Sequence, residues 1–464
     1  MYYKKYAKKK KKEKAYASRP VKEDPNRFDH LTINDEWRAV FDALENSPEN
    51  IFITGRAGTG KSTLLDYWRA QTKQNIVVLA PTGVAALNVR GQTVHSFFSF
   101  HPGITPADVR RYPTKKDGEN IYKKIDTIVI DEVSMVRADL LDCVDKFMRL
   151  NGRDKGKAFG GARLVVFGDL HQLPPVVTDA EREAFFSLYR TPYFFSARVL
   201  CDRRLIQMNN DFIKYELTEI HRQKDANFIN LLNRVRDNEA TASDLAELNR
   251  RHDPEFTLGE EDYFIYLTAT NYIAAEINNA RLNRLPGKPQ IYKADKYGRF
   301  DDRVHPTDEV LNLKIGSQVM LINNDSAKRW VNGTIGRVVE LKKDTYNLPI
   351  VKVKLPDGEV VDVESFTWKS HRYHFNIREQ KVEAEEIGSF TQLPIKLAWA
   401  VTIHKAQGKT FDRVALDIGR GAFASGQLYV ALSRCTSLEG LVLVAPLMPR
   451  DIITDPVVVE FLRG

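Results

Sequence analysis

Residues 51–62 read IFITGRAGTGKS. A short Ile-rich run enters a glycine loop and leaves into a helical stretch, and the loop fits G-x-x-x-x-G-K-[ST] in the strand-loop-helix setting that this motif requires. Gly55, Gly58 and Gly60 allow backbone N–H groups to close around a phosphate, Lys61 sets a cation against the β/γ oxygens, and Ser62 offers a hydroxyl to Mg2+. Arg56, Ala57, Thr59 and Thr63 complete the candidate nucleotide-contacting set. The expected cofactors are ATP and Mg2+.

Downstream, IDTIVIDEVSM ends a second apolar run on Asp131 and Glu132. A carboxylate at a strand end can hold Mg2+ through water, so Asp131 and Ser62 are the metal candidates, and Glu132 is placed to orient or deprotonate an attacking water. Acidic residues at strand ends also serve as helix caps, and the preceding phosphate loop favours the catalytic reading. A third run, RLVVFGD, leads to Asp169, His171 and Gln172 before Pro174 and Pro175. A Gln there can hydrogen-bond a γ-phosphate and respond to its loss.

Working outward, the runs at 51–54, 76–80, 125–130 and 164–167 are short, rich in Val and Ile, and followed by polar turns or helical segments, the pattern of buried parallel strands. An amphipathic stretch at 33–44 precedes them. A second such set occurs at 263–267, 414–418 and 441–444, with helices near 271–283 and 423–435. Between about 301 and 388 the texture changes to closely spaced alternating segments with Asn332-Gly333 and Asp357-Gly358 turns, which predicts an all-β insertion. The fold class is therefore α/β, with two cores and a β-module inserted in the second.

The 464 residues are too many for one ordinary domain. Cys143, Cys201 and Cys435 are far apart and odd in number, which predicts neither a disulfide framework nor a zinc site. His371 and His374 lack ligand partners and read as surface strand residues. No apolar run approaches the roughly 18 residues of a membrane span, and the start lacks the apolar region of a secretory signal. The expectation is a soluble intracellular protein, cytoplasmic in a bacterium and possible in the nucleus of a eukaryote. Residues 1–19 carry eight Lys and Arg19 against Glu13, a net of +8, equal to the net of the whole chain. The body is thus neutral, and nucleic acid would be gripped in local grooves, with the basic tail a separate feature.

Eight ordered segments resemble the PIF (petite integration frequency) helicases, relatives of the RecD-like helicases in superfamily one. They are GRAGTGKS (55–62), APTGVAA (80–86), GQTVHSFF (91–98), DEVSMVRADLLD (131–142), FGG…GDLHQLPPV (159–176), LTEIHRQ (217–223), VTIHKAQGKTFD (401–412) and QLYVALSR (427–434). The resemblance spans about 31–446. It implies an ATP-dependent DNA helicase that translocates 5′-to-3′ on single-stranded DNA, unwinds forked duplex, serves replication, recombination, repair or telomere-type maintenance, and acts as a monomer. Two RecA-like cores are implied: a basic tail and linker over 1–30, a first core over 31–205 with a wedge insertion at about 100–124, and a second core over 206–300 and 389–464. A small β-barrel over 301–388 would interrupt the second core.

Residue by residue, the resemblance matches Arg222 and Arg434 to arginines that reach the γ-phosphate across the cleft, where a guanidinium stabilises charge on the transferring group. It implies that Thr82, His95, Thr402 and His404 face the nucleic-acid strand, with Lys405, Gln407 and Gly408 in the segment linking strand to nucleotide. Phe97 and Phe98 fit either base stacking or the core. Trp37 in INDEWR stands where the family's adenine-reading Gln is expected, and an aromatic there would stack on the base. A RecD-type subunit is disfavoured by the FGG and DEVSM segments. A non-enzymatic strand binder has no need of the set Lys61, Glu132, Arg222 and Arg434.

Overall fold

The computed structural model describes residues 28, 33–112, 120–201, 212–219, 225–257, 259, 262–300, 305–325, 327–419 and 421–463. The basic tail, its linker apart from Phe28, and Arg222 lie outside the described residues.

The apolar runs form a parallel sheet of β1 (Asn50–Gly55), β2 (Ile76–Ala80), β3 (Gln92–Thr93), β4 (Thr127–Ile130), β5 (Arg163–Phe167) and β6 (Phe212–Leu217), in the order β3-β2-β4-β5-β1-β6. Strands β1, β2, β4 and β5 are buried almost end to end, as a sheet covered on both faces requires. Strand β6 pairs with β1 over its whole length, so the first core extends past the expected boundary at 205. Its stretch FIKYEL, with half-buried Lys214 and exposed Glu216 breaking the apolar run, hid it in the sequence.

The second core is a parallel sheet ordered Ala400–Thr402, Ile265–Thr268, Val414–Asp417, Leu441–Leu443. The β insertion is present and wider than 301–388. Strands Gln290–Lys293 and Val310–Leu313 share a hydrophobic core with the five-stranded antiparallel sheet that runs from Gln318–Leu321 to Ile395–Leu397.

Two elements cross between the expected domains. The hairpin of Phe366–Asn376 and Lys381–Gln392 reaches the first core, where the Tyr373 hydroxyl accepts from Val78 N–H at 3.1 Å and Val382 N–H donates to Asn75 Oδ1 at 2.8 Å. The C-terminal helix Pro456–Arg463, expected in the second core, buries Val458 and Phe461 in the first, with Phe461 stacked on Phe195 at 4.2 Å. In the presumed wedge, Phe100, Val109 and Tyr122 are anchored in the first core's aromatic cluster, and 113–119 lie outside the described residues. No described helix is long and apolar enough to cross a membrane.

Candidate nucleotide and strand site

Strand β1 delivers the phosphate loop to the helix Lys61–Gln71, with Gly58 and Gly60 at φ of 88° and 81°. Gly60 is the helix N-cap, so free N–H groups of the first turn point at the loop's concavity. Lys61 Nζ donates to the carbonyls of Gly55 (2.6 Å) and Arg56 (2.9 Å). Burial pulls its amine below the ordinary lysine range, while Asp169, Glu132 and Asp131 push the other way, which places all three carboxylates within electrostatic reach. Thr59 Oγ1 donates to Arg56 O, and Ser62 and Thr63 stand exposed on the helix's first turn.

Asp131 follows β4 and is buried. Burial first and Glu132 second raise its carboxyl above the usual range. Glu132 has φ +52°, a left-handed conformation uncommon for a residue with a Cβ. Gln172, after β5, donates from Nε2 to Asp169 Oδ2 (3.3 Å). Lys61, Asp131, Glu132 and Gln172 are thus gathered at the carboxyl end of one parallel sheet, where open α/β sheets bind ligands.

The second core closes on this edge through Gln407, which the resemblance places in the segment linking strand to nucleotide, and through Arg236, Tyr429 and Gly426, for which the motifs imply no separate role. Arg236 ends the helix Ala226–Arg236 and is 5% exposed. Its Nη2 lies 3.5 Å from Asp169 Oδ1, and also 3.5 Å from Glu216 Oε1 on β6. Burial opposes the charge on Asp169, but Arg236 and Lys61 hold its carboxyl below the ordinary range. Tyr429 accepts the N–H of Ala57, in the phosphate loop, at 3.2 Å. Gly426 packs so closely that a Cβ there would meet the carbonyl oxygens of His171 at 2.1 Å and Gln172 at 2.7 Å, which excludes any other residue. The Gln407 amide nitrogen donates to Glu132 Oε2 (3.3 Å) and Gln172 Oε1 (3.0 Å). Tyr429 lay in plain view within QLYVALSR, whereas Arg236 carried no motif beyond its place at the end of an amphipathic helix.

The strand-facing candidates divide. Thr82, just beyond β2, and Thr402, the last residue of its strand, are N-caps, one in each core, accepting from Ala85 N–H and Lys405 N–H at 3.3 Å each. A capping hydroxyl still has its own hydrogen to donate. His95 is half-buried, His404 and Lys405 are exposed, and Gly408 follows with φ +78°. Phe97 takes the core role of its two readings: it is 6% exposed and meets Phe98, Tyr122 and Tyr373 edge-on. Trp37 likewise lies in the core. It shares the buried face of the helix Asp35–Asn46 with Val40 and Leu44, is 6% exposed, and presents no free ring to an adenine, which corrects its assignment to the cofactor. Arg434 is buried within the second core, donating to the carbonyls of Val430 (2.9 Å) and Lys409 (3.1 Å) and to Ser433 Oγ (2.8 Å).

With this geometry in hand, comparison with known proteins is direct. The profile of the PIF1-like helicase family matches residues 32–245. Human ATP-dependent DNA helicase PIF1 is 34% identical over 92% of this chain and 63% of its own length. The chain therefore spans about three-fifths of such longer relatives. The ATP-dependent DNA helicase Pif1 of Bdellovibrio bacteriovorus is 30% identical over 93% of this chain and 92% of its own. Among solved structures, Pif1 of a Bacteroides species in complex with ADP-AlF4 is 35% identical, covers 93% of this chain with 97% of its own, and superposes with a TM-score of 0.83. By these matches the chain belongs to the PIF1-like helicase family.

Proposed function

We propose that the chain is an ATP-dependent DNA helicase that translocates 5′-to-3′ on single-stranded DNA and opens forked duplex. The observation that carries this reading is the contact of Gln407, from the second core, with both Glu132 and Gln172 of the first. It joins the hydrolytic edge to the segment that bears Thr402, His404 and Lys405.

In the proposed reaction, a water oxygen bonds to the γ-phosphorus, the bond to the bridging oxygen breaks toward ADP, and a water proton passes to Glu132. Lys61 and the loop N–H groups hold the phosphates, and Gln172 orients the water. One hydroxyl and one buried carboxylate beside phosphate oxygens suit Mg2+, which keeps several waters and needs no all-protein cage. No cluster of three or more His, Cys, Asp or Glu side chains suited to a metal occurs among the described residues. Ser62 and Asp131 would hold the ion, which supplies charge neutralisation at the phosphates. Arg222 and Arg434 would add charge stabilisation from the second core, and Arg434 must leave its carbonyl partners to do so. Thr82, His95, Thr402, His404 and Lys405 would grip the strand, releasing it as the cores open after hydrolysis. Because one chain carries both cores, the acting unit is proposed to be a monomer.

The test is an unwinding assay on duplexes with a 5′ or a 3′ single-stranded tail. Opening from the 5′ tail is expected only with ATP, and Lys61→Ala should cut it by a hundredfold or more, about 3 kcal/mol of transition-state stabilisation. Opening from the 3′ tail alone would contradict the proposed polarity.

A further inference from the structure

We propose that Gln407 is a positioning residue that holds the place of the attacking water and is withdrawn when the strand is engaged. The inference rests on the reading of Glu132 as the base of the ATPase.

The contacts define which atom of Gln407 faces the cleft. The Glu132 carboxylate only accepts hydrogen bonds, and so does the Gln172 carbonyl oxygen, so the atom 3.3 Å from one and 3.0 Å from the other is the amide nitrogen. That nitrogen has two hydrogens and gives one to each. A water poised to attack the γ-phosphorus has the same requirement, with one O–H directed to the base and one to the orienting Gln. The Gln407 amide thus makes the two hydrogen bonds that the water must make, on the same two acceptors. Both cannot be satisfied together.

Two features make the arrangement a device rather than a chance contact. Glu132 is held at φ +52°, a conformation unfavourable for a residue with a side chain that persists only where its surroundings enforce it. Gln407 is the C-cap of the short helix Ile403–Ala406, and its N–H donates to His404 O at 3.3 Å. The same helix starts at the Thr402 cap and exposes His404 and Lys405. Gly408 follows with open space where a Cβ would stand, so the chain can turn immediately after Gln407. A phosphate drawn to Lys405 and His404 therefore acts on the element that carries the Gln407 amide. In this mechanism the strand licenses hydrolysis by removing a substitute for water.

The experiment is steady-state ATP turnover of the full chain and of Gln407→Leu, Gln407→Glu and Gln407→Asn, without and with saturating oligothymidine. Leu and Glu cannot donate, and Asn cannot reach both acceptors. Each variant is expected to raise strand-free turnover by about tenfold while leaving strand-saturated turnover within about twofold, so that the stimulation ratio collapses. Melting temperature and oligothymidine affinity, read in parallel, identify a variant that has merely unfolded, and the other two substitutions then carry the test. Strand-free turnover that is unchanged or lower in folded variants, with a stimulated wild type, would overturn this proposal alone. A wild type that hydrolyses no ATP in either condition would overturn the ATPase reading and this proposal with it.

Discussion

In the first core the phosphate loop and the cleft carboxylates stand at or just beyond the ends of parallel strands, with Gly55 closing β1, Asp131 following β4 and Asp169 following β5, and Lys61 opens the helix that the loop feeds. In the second core the cleft residues stand on helices, with Arg236 ending one, Tyr429 inside another and Gln407 capping a third. The threonines proposed to face the strand break this contrast, because Thr82 and Thr402 each cap a short helix that follows a strand of its own sheet. The two cores thus carry matched groups at the proposed strand site and unmatched ones at the proposed nucleotide site. A phosphate site needs backbone N–H groups and fixed carboxylates, which strand ends hold rigidly. Groups that must arrive and depart with each cycle are better carried on helices that move as bodies.

That division can be broken most severely at Arg236. Replacing it with Met leaves Asp169, whose side chain is fully buried, without its cross-core partner, at a cost of about 3–5 kcal/mol in denaturant unfolding. Adding Asp169→Asn to Arg236→Met should recover part of that loss, since the uncompensated charge is then gone. Full additivity of the two substitutions would mean that the pair does not join the cores. A smaller effect is expected at Tyr429. In Tyr429→Phe the Ala57 N–H is no longer occupied by the hydroxyl and becomes available to a phosphate. Nucleotide affinity, measured by titration calorimetry, should rise by no more than about tenfold, the range of one hydrogen bond. Weaker nucleotide binding would mean that the hydroxyl shapes the loop rather than competing for it.

Sequence legibility follows the same line. The first core's catalytic edge could be read because backbone geometry imposes local patterns: a phosphate loop needs glycines at fixed spacing, and a buried parallel strand needs an unbroken apolar run. Strand β6 escaped because Lys214 and Glu216 interrupt its pattern, although pairing with β1 alone fixes its place. Trp37 reads as a ligand-stacking residue, and Phe97 as either a stacking or a core residue, because aromatics suit both stacking and packing. Helical periodicity puts Trp37 in line with Val40 and Leu44, and the aromatic cluster around Tyr122 surrounds Phe97. Arg236 could not be found, since its role depends on Asp169, 67 positions earlier in the chain and in the other core. The docking of Phe461 on Phe195 and the reach of Tyr373 to Val78 are equally long-range, and no local signal announces either.

The claim on which the account depends is that the nucleotide edge of the first core answers to the strand through the helices of the second. The direct measurement is ATP turnover of the unmodified chain across a titration of single-stranded oligothymidine. Turnover is expected to be slow without the oligonucleotide and to rise saturably as it binds, with half-maximal stimulation at the oligonucleotide concentration that half-saturates binding. Turnover that is equally fast with and without the strand would contradict the claim.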